Sequence, residues 1–292
     1  MSATTVREAL QKASHFLREN NIDDAAFLAE YAIRYALGWD RTRFISGMSQ
    51  SLTEEEWDRI EAIIRRRAAG EPMQYIVGSQ EFYGLEFEVN PSVLIPRPET
   101  ELLVEEVVKR SRELWSEDAE LSVVDIGTGS GAIAVTLAVI GGTSWKVMAT
   151  DIAEESLTTA RLNAERHCVE HKLSFVQGNL LDPLLQQEHT VDILVSNPPY
   201  IPSFDVTQLD IQVKDHEPLR ALDGGEDGLD FYRQMIQGLP CILKARALLG
   251  WEVGIHQAEI VRGWLEDTGL FSEVYIVRDL ADIGRHVISV RV

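Results

Sequence analysis

The sequence predicts an α/β fold: a Rossmann-like sheet of seven strands with an antiparallel edge strand, plus a small N-terminal helical domain joined to it by a β-hairpin. Two patterns carry this prediction. Apolar residues recur with a helical period up to about Gly70, and from Leu121 onward strand-like segments alternate with helical ones. Such alternation is typical of a mainly parallel sheet covered by helices on both faces. We therefore divide the chain into a helical domain (residues 1–72), a hairpin linker (73–92) and an α/β domain (93–292).

The composition indicates a globular protein that binds small molecules or proteins. Apolar residues make up 45% of the chain and charged residues 25%, which is ordinary for a protein with a buried core. The formal net charge of -20 disfavours direct binding to nucleic-acid phosphates and suits a small-molecule cofactor or a basic protein partner. There is no signal segment, no metal-ligand spacing around the two cysteines and no apolar run of the ~20 residues that span a membrane. We expect a cytoplasmic protein without metal or membrane contact.

The ends of the predicted helices in the N-terminal domain carry capping residues. Thr5 with Glu8, and Thr53 with Glu56, have the spacing of a capping box, in which each partner satisfies a free backbone N–H group. Gly38 follows the second helical pattern and suits a left-handed stop. These signals predict a compact helical domain.

A β-hairpin is predicted between the two domains. Residues 75–78 and 85–89 have the composition of strands, and the second segment alternates cleanly between apolar and polar residues. Gly84 lies between the two segments, where a turn is needed.

The segment around Pro98 has two interpretations. Proline at the first position of a helix, followed by acidic residues, is typical of a helix start and needs no ligand. Alternatively, Arg97 and Glu99 lie at the mouth of a cofactor site. Composition alone favours the helix start.

Seven segments of the α/β domain have the composition of strands. They comprise residues 121–126, 145–150, 173–177, 191–196, 247–253, 271–277 and 286–291. Only a short turn separates the last two, so we expect them to pair antiparallel, whereas helical patterns separate most of the others. The carboxyl ends of parallel strands meet at one edge of the sheet, which is where ligands bind in folds of this kind.

A glycine-rich turn follows the first of these strands. Gly127, Thr128, Gly129, Ser130 and Gly131 form a G-x-G-x-G motif, which differs from the dinucleotide spacing G-x-G-x-x-G. Glycines permit a tight turn and a close approach of the backbone to a ligand. The N-terminus of the following helix can receive a carboxylate or a phosphate. The motif therefore predicts part of a cofactor site.

Two further strand ends carry polar side chains. Asp151 ends the second strand, about 20 residues after the glycines, where an acid binds the hydroxyls of a ribose. Its alternative role is to cap the next helix. Asn179 and Leu180 follow the third strand and can contact the edge and the face of an adenine, although an ordinary Gly-Asn turn explains them equally well. The glycine turn and Asp151 together favour a nucleoside cofactor.

The fourth strand stops at Asn197, Pro198, Pro199 and Tyr200. Two consecutive prolines end strand pairing because neither has a backbone N–H group. The side-chain oxygen of Asn197 and the carbonyl of Pro198 can accept both hydrogens of a substrate –NH2 group, and Tyr200 can stack on a planar group. Alignment and electrostatic fit then suffice for transfer from an electrophile to the nitrogen. A structural turn is the alternative, and it is weaker because the motif follows a buried strand.

These residues resemble a known family. Residues 125–131, Asp151 and residues 197–200 are similar to the motifs of class I S-adenosylmethionine-dependent methyltransferases that act on amide or amino nitrogens. Segments similar to those of the peptide chain release factor glutamine N5-methyltransferases, the PrmC/HemK family, are residues 71–84, 93–101 and 217–229. This combination is specific, whereas the Asn-Pro-Pro-Tyr motif alone does not separate protein methylation from DNA methylation.

The resemblance implies an activity and a partner. The implied reaction transfers a methyl group from S-adenosylmethionine to the side-chain amide nitrogen (N5) of the glutamine in the Gly-Gly-Gln motif of bacterial class 1 peptide chain release factors, with S-adenosylhomocysteine as the product. Residues 127–131 would bind the methionine part of the cofactor and Asp151 its ribose. Asn197, also close to the cofactor, and the carbonyl of Pro198 would bind the glutamine amide, beside Tyr200.

The resemblance also changes the interpretation of three positions. Arg97 and Glu99 become neighbours of the cofactor pocket. Asn179 stands where the family commonly has an acid, so its contact with adenine stays open. The helical domain and the hairpin would help to dock the release factor.

Two other functions stay open. The chain could methylate a glutamine of a ribosomal protein, or less readily an adenine of a nucleic acid, because such enzymes share most of these motifs. It could also be a non-catalytic module that docks on translation factors. The intact Gly127, Asp151, Asn197 and Tyr200 argue against the non-catalytic alternative.

Overall fold

The computed structural model describes residues 4–292, which form two compact units. The first unit contains the chain up to Gly78 together with Ile211–His216. The second contains Ser79–Asp210 and Glu217–Val292. The division within the chain agrees in outline with a helical part followed by an α/β part, while the predicted domain boundaries stay a prediction.

The first unit is helical. Its helices, in chain order, are α1 (Val6–Glu19), α2 (Ala25–Leu37), α3 (Arg41–Ser46), α4 (Glu54–Ala68) and α5 (Met73–Val77). Their apolar faces meet in one core, and burial of a large aliphatic side chain stabilises such a core by roughly 1.5–3 kcal/mol. The fully buried members of this core include Val6, Leu17, Ala29, Ile33 and Ile60.

The predicted helix ends of this unit are confirmed. Thr5 accepts a hydrogen bond from the backbone N–H of Glu8 at 3.3 Å, and the Glu8 carboxylate accepts one from the backbone N–H of Thr5 at 2.8 Å. Thr53 and Glu56 repeat this capping box with distances of 3.2 and 2.8 Å. Gly38 ends α2 in the left-handed conformation, with a φ of 64°. Local sequence therefore determines where these helices begin and end.

One predicted strand is wrong. Residues 75–78 belong to α5 and its C-terminal cap, Gly78, which has a φ of 77°. Pro72 precedes the helix, and its fixed φ suits a helix start. The run of apolar side chains gave these residues the composition of a strand, but all of them are buried, so the alternation of a half-buried strand is absent.

The hairpin lies a few residues further along the chain. Its strands are β1 (Ser79–Phe82) and β2 (Leu85–Glu88), and they pair antiparallel with Phe82 opposite Leu85. Tyr83 and Gly84 form the connection, and both have a positive φ, of 53° and 72°. Two central residues in this conformation match the twist of the flanking strands, which is why the turn is tight.

The second unit is built on a seven-stranded sheet. Its strands are β3 (Ser122–Ile126), β4 (Lys146–Asp151), β5 (Leu173–Gln177), β6 (Val191–Ser196), β7 (Leu243–Glu252), β8 (Glu273–Arg278) and β9 (Gly284–Arg291). The order across the sheet is β5-β4-β3-β6-β7-β9-β8. The first five are mutually parallel, and β9 is antiparallel to both β7 and β8. The predicted α/β sheet with an antiparallel edge pair is confirmed.

Helices cover both faces of this sheet. The helices of the second unit are α6 (Pro98–Leu114), α7 (Ala132–Ile140), α8 (Glu154–Arg166), α9 (Asp182–Gln186), α10 (Ser203–Val206), α12 (Asp230–Ile242) and α13 (Ala258–Asp267), while α11 (Ile211–Lys214) belongs to the first unit. Side chains of α6, α7 and α8 pack in one apolar cluster, and those of α9, α12 and α13 pack in another. Neighbouring residues of β3, Val123 and Val124, point into different clusters, as the pleat of a strand requires. Among residues 4–292, no helix is both long and apolar enough to cross a membrane.

Candidate active site

A cavity of about 740 Å³ opens at the carboxyl ends of the parallel strands. In an open α/β sheet this edge is where the connections diverge, so they leave a crevice between them. The predicted site residues that line the cavity are Gly127, Gly129, Asp151, Asn179, Leu180, Asn197 and Pro199. Four strand ends, those of β3, β4, β5 and β6, therefore contribute to one cavity.

The glycine turn after β3 forms one wall of this cavity. Gly127, Gly129 and Gly131 all have a positive φ, of 73°, 54° and 82°. A Cβ atom on Gly127 or Gly129 would have no described atom within 4 Å, whereas one on Gly131 would lie 3.0 Å from the Cβ of Ala160. The first two glycines leave space on the cavity side, and the third permits close packing against α8.

Thr128 and Ser130 are both buried. The Thr128 hydroxyl donates to Oδ2 of Asp125 at 2.6 Å, and the carbonyl of Ser130 accepts a hydrogen bond from the Asn163 side chain at 2.8 Å. These two hydrogen bonds fix the conformation of the turn. Neither residue is among the described residues that line the cavity.

Asp125 is a buried acid directly beneath the turn. Its Oδ2 also accepts from the backbone N–H of Ala134 at 3.2 Å, while no described group hydrogen-bonds to its Oδ1. Burial, with a smaller contribution from the neighbouring Asp151, raises the pKa of Asp125 to about 7 against the lowering effect of the Thr128 and Ala134 hydrogen bonds. Sequence reasoning used Asp125 only as the start of the glycine motif. The sequence feature that could have identified Asp125 is an acidic residue at the end of a buried strand.

Asp151 at the end of β4 faces the same cavity. Its Oδ2 accepts from the backbone N–H of Gly129, and its Oδ1 accepts from that of Ala153, both at 2.9 Å. Burial is the main cause that raises the pKa of Asp151, and the two backbone hydrogen bonds act in the opposite direction. The helix α8 starts at Glu154 without a side-chain cap, so the carboxylate orders the turn before the helix and cross-links it to the glycine turn.

Asn197 follows β6, the neighbour of β3 in the sheet, and lines the same cavity as the glycine turn. Its Nδ2 donates to Oγ1 of Thr100 at 3.2 Å, and the Thr100 hydroxyl donates to Oε2 of Glu252 at 2.6 Å. Thr100 and Glu252 are buried. Sequence reasoning missed both as site residues, although Glu252 ends β7, and an acid at a strand end is the same signal that identified Asp151.

Pro198 and Tyr200 are not among the described residues that line the cavity. Pro198 is buried, and the Tyr200 hydroxyl donates to Oε1 of Glu252 at 3.3 Å. Burial first, and then the Glu252 carboxylate, raise the pKa of Tyr200, so the phenol keeps its proton. The Glu252 carboxylate thus accepts hydrogen bonds from Tyr200, at the end of the turn, and from Thr100, the partner of Asn197.

Arg97 and Glu99 lie outside the set of described residues that line the cavity. Arg97 precedes the first turn of α6, and its guanidinium donates to Oε1 of Glu217 at 2.5 Å. The other carboxylate oxygen of Glu217 accepts from the backbone N–H of Ile95 at 3.2 Å. Arg97 therefore holds the segment before Leu219 and Arg220, which do line the cavity, while Glu99 is exposed. A cofactor role for Arg97 and Glu99 stays a prediction.

Asn179 and Leu180 both line the cavity after β5. Leu180 has a φ of 46°, so its backbone turns sharply at this point. Their contact with an adenine stays a prediction. Among residues 4–292, no group of three or more His, Cys, Asp or Glu side chains is placed to hold a metal ion.

The sheet order, the glycine turn and the Asn-Pro-Pro-Tyr turn define a class I methyltransferase fold. Solved structures agree on the fold. A methyltransferase from Pyrococcus furiosus superposes with a TM-score of 0.52 at 18% identity, covering 80% of this chain and 98% of that one. The N-terminal domain of human METTL16 in complex with SAH gives a TM-score of 0.52 at 17% identity, covering 88% and 93%.

The chain belongs to the release factor glutamine methyltransferases, the PrmC/HemK family, and is thus a methyltransferase. The family described as "PrmC N-terminal domain" matches residues 8–78, and the one described as "Methyltransferase domain" matches residues 117–236. A release factor glutamine methyltransferase of Bacillus anthracis is 42% identical over 97% of this chain and 98% of its own length. Relatives with the same name from Bacillus subtilis and Geobacter sulfurreducens are each 40% identical, covering 94% and 97% of this chain and 94% and 95% of their own.

Proposed function

We propose that this chain transfers the methyl group of S-adenosylmethionine to N5 of the glutamine in the Gly-Gly-Gln motif of class 1 peptide chain release factors. One observation carries the proposal: an asparagine amide, Asn197, shares a cavity with a glycine turn and a strand-end aspartate. The cavity thus combines an acceptor for an amide hydrogen with the features of a nucleoside site. Family membership supports the choice of glutamine and of the release factor.

The cavity residues fit a nucleoside cofactor with a methionine part. Gly127 and Gly129 leave open space where any other residue would place a Cβ atom, so a ligand can approach the backbone. Each carboxylate oxygen of Asp151 accepts one backbone hydrogen bond and retains capacity for a ribose hydroxyl. We therefore propose that the glycine turn, with Thr128, Ser130 and Gly131, binds the methionine part and that Asp151 binds the ribose.

Two more residues border the proposed adenosine position. Asn179 and Leu180 line the cavity next to the end of β5, adjacent to β4 in the sheet. The Asn179 amide can pair with the edge of an adenine, and the Leu180 side chain can cover its face. We propose this contact as part of the cofactor site.

Asn197 and Pro198 bind the acceptor amide in this proposal. S-adenosylmethionine, when bound, supplies a methyl group made electrophilic by a positively charged sulfur. The Asn197 Oδ1 and the Pro198 carbonyl accept the two hydrogens of the glutamine –NH2 group and fix its nitrogen toward the cofactor side. Pro199 fixes the turn that carries them, and Tyr200 packs beside it. Catalysis then rests on proximity and on hydrogen-bond acceptors that need no reorganisation.

The partner is a protein, and the helical domain is the proposed docking element. We propose the boundaries 1–72, 73–92 and 93–292, with the first two segments contributing to recognition. The exposed aromatic residues of α2, Phe27 and Tyr35, are 65% and 49% exposed and support a contact with a protein.

Transfer of a labelled methyl group tests this function. The purified chain is incubated with labelled S-adenosylmethionine and a class 1 release factor, and in parallel with the same factor carrying Ala in place of the motif glutamine. The expected result is label in the first factor and none in the second. Label in a ribosomal protein or in nucleic-acid adenine, with none in the release factor, would contradict the proposed acceptor. Binding to the release factor without transfer would indicate the non-catalytic alternative.

A further inference from the structure

Three polar side chains from distant parts of the sequence form a hydrogen-bonded chain that ends at the cavity. Asn197 donates from Nδ2 to Thr100, and Thr100 donates to Glu252, at 3.2 and 2.6 Å. Thr100 is 4% exposed and Glu252 is 1% exposed, so water does not compete for these bonds. Only Asn197, at the end of the chain, reaches the cavity.

The hydrogen bonds of this series all run in one direction, which follows from the chemistry of the three side chains. A carboxylate has only acceptor oxygens, so the single hydroxyl hydrogen of Thr100 is committed to Glu252. The Thr100 oxygen can then only accept from its other neighbour. Asn197 must therefore present its –NH2 group to Thr100, which leaves its Oδ1 on the opposite side of the amide, facing the cavity.

The carboxylate that sets this direction is held on several sides. The Tyr200 hydroxyl donates to Oε1 at 3.3 Å. His286, which is fully buried, lies with Nε2 3.6 Å from Oε2. Glu252 thus has little freedom to turn away from Thr100.

We propose that Thr100 and Glu252 are positioning residues that fix the Asn197 amide with its oxygen toward the substrate. The inference rests on the proposed function and deepens it, because it adds two residues that control the acceptor face of the site. The opposite amide orientation would place donors against the donors of a substrate –NH2 group. Burial of a carboxylate is costly, and an apolar pair would fill this space without that cost. A role in orienting Asn197 accounts for the presence of the buried Glu252 carboxylate.

Substitutions of Thr100 test the proposal. Thr100→Val keeps the shape and removes the hydroxyl, so the Asn197 amide loses the partner that selects its orientation. We expect kcat for methyl transfer to release factor to fall by about 10- to 100-fold, by analogy with the loss of a group that orients a metal-ligating side chain. The Kd for the cofactor should be unchanged. Thr100→Ser retains the hydroxyl and should restore most of kcat.

Tyr232→Phe is the matched control. It removes a buried hydroxyl that also binds Glu252, but at the main-chain carbonyl rather than the carboxylate. It should lower the melting temperature and leave kcat unchanged.

All rates are divided by the concentration of cofactor-binding sites measured by calorimetry. Thr100→Ala is a second variant in case the valine does not pack, because it removes the hydroxyl without adding a methyl group.

The side-chain amide signal of Asn197 provides a readout that does not depend on activity. In the 1H–15N spectrum, the –NH2 resonances of Asn197, assigned by their loss in Asn197→Ala, should shift in Thr100→Val and return in Thr100→Ser. Unshifted resonances, or a valine variant with the wild-type kcat, would overturn the inference. If the unmodified enzyme transfers no label to the release factor, the proposed function fails, and the spectra still decide the orientation of Asn197.

Discussion

The two sides of the cavity are built in different ways. On the side of the glycine turn, the key contact joins a backbone N–H, that of Gly129, to the Asp151 carboxylate, and the residues involved lie 22 positions apart. On the side of Asn197, side chains hold one another, and they lie 97 and 152 positions apart in the chain. The first side therefore depends on backbone conformation, whereas the second depends on individual hydroxyl and carboxylate groups.

This difference has a consequence for tolerance to substitution. A backbone-built site is disturbed mainly by changes at glycine or at the acid that receives the backbone N–H groups. A side-chain-built site can lose its function through the removal of a single polar group, without any change in the fold. Four substitutions test whether a change on one side of the cavity leaves the other side unaffected.

Asn197→Ala should have the largest effect. It removes the amide that accepts a hydrogen of the substrate –NH2 group, so kcat should fall by about 10³-fold, near the upper end for loss of one preorganised hydrogen-bonding group. Titration calorimetry should give a cofactor Kd close to that of the wild type. Loss of cofactor binding in the same variant would show that the two sides are not separable.

Asp125→Asn tests the buried acid beneath the glycine turn. The folded chain keeps the Asp125 proton up to about pH 7, whereas the unfolded chain loses it near the ordinary value of 3.8. Between these values the folded state binds more protons, so the free energy of unfolding falls as pH rises. The wild type should therefore lose about 3 kcal/mol relative to Asp125→Asn between about pH 5 and pH 8, and the difference should be constant above that range.

Urea denaturation of the two proteins at several pH values measures this difference. A constant difference across the whole range would mean that Asp125 is ionised in the folded chain. That outcome would place a buried charge under the glycine turn and would contradict the raised pKa.

Asp151→Ala should weaken cofactor binding by about 1–3 kcal/mol, the cost of a lost hydrogen bond to a charged group. Asp192→Ala is a matched control, because Asp192 is also a buried acid that accepts from a backbone N–H, that of Ser122, but at the opposite end of the strands. Calorimetry should show an unchanged cofactor Kd for the control. Equal affinity in both variants would restrict Asp151 to ordering the turn before α8.

Gly129→Ala should have the smallest effect on stability. The added Cβ has space, but φ is 54°, a conformation that costs a non-glycine residue about 1 kcal/mol. The methyl group points into open space at the cavity wall, so cofactor affinity should also fall. Gly131→Ala is the comparison, since its Cβ would crowd Ala160 and should cost more stability. Thermal melts and calorimetry separate the two effects, and a wild-type cofactor Kd for Gly129→Ala would show that the ligand does not approach this glycine.

The sequence by itself determined the local features of the molecule. Capping boxes at Thr5 and Thr53, the stop at Gly38 and the two-residue strand break at Pro198 and Pro199 involve residues a few positions apart, so their geometry follows from backbone and side-chain chemistry alone. The alternation of strands and helices in the second unit predicted a mainly parallel sheet, and with it the convergence of Asp151 and Asn197 at one edge.

The tertiary structure decided the features that depend on burial and on the order of strands in the sheet. Residues 75–78 have strand composition, yet Tyr75, Ile76 and Val77 form a helix capped by Gly78, and Ile76 and Val77 pack in the helical core. The contact between Thr100 and Glu252 exists because β7 lies beside β6 and α6 packs against β7, an arrangement that no local pattern encodes. Asn197 could be predicted as a strand-end amide, but the direction of that amide depends on a threonine and a glutamate that only the folded chain brings together.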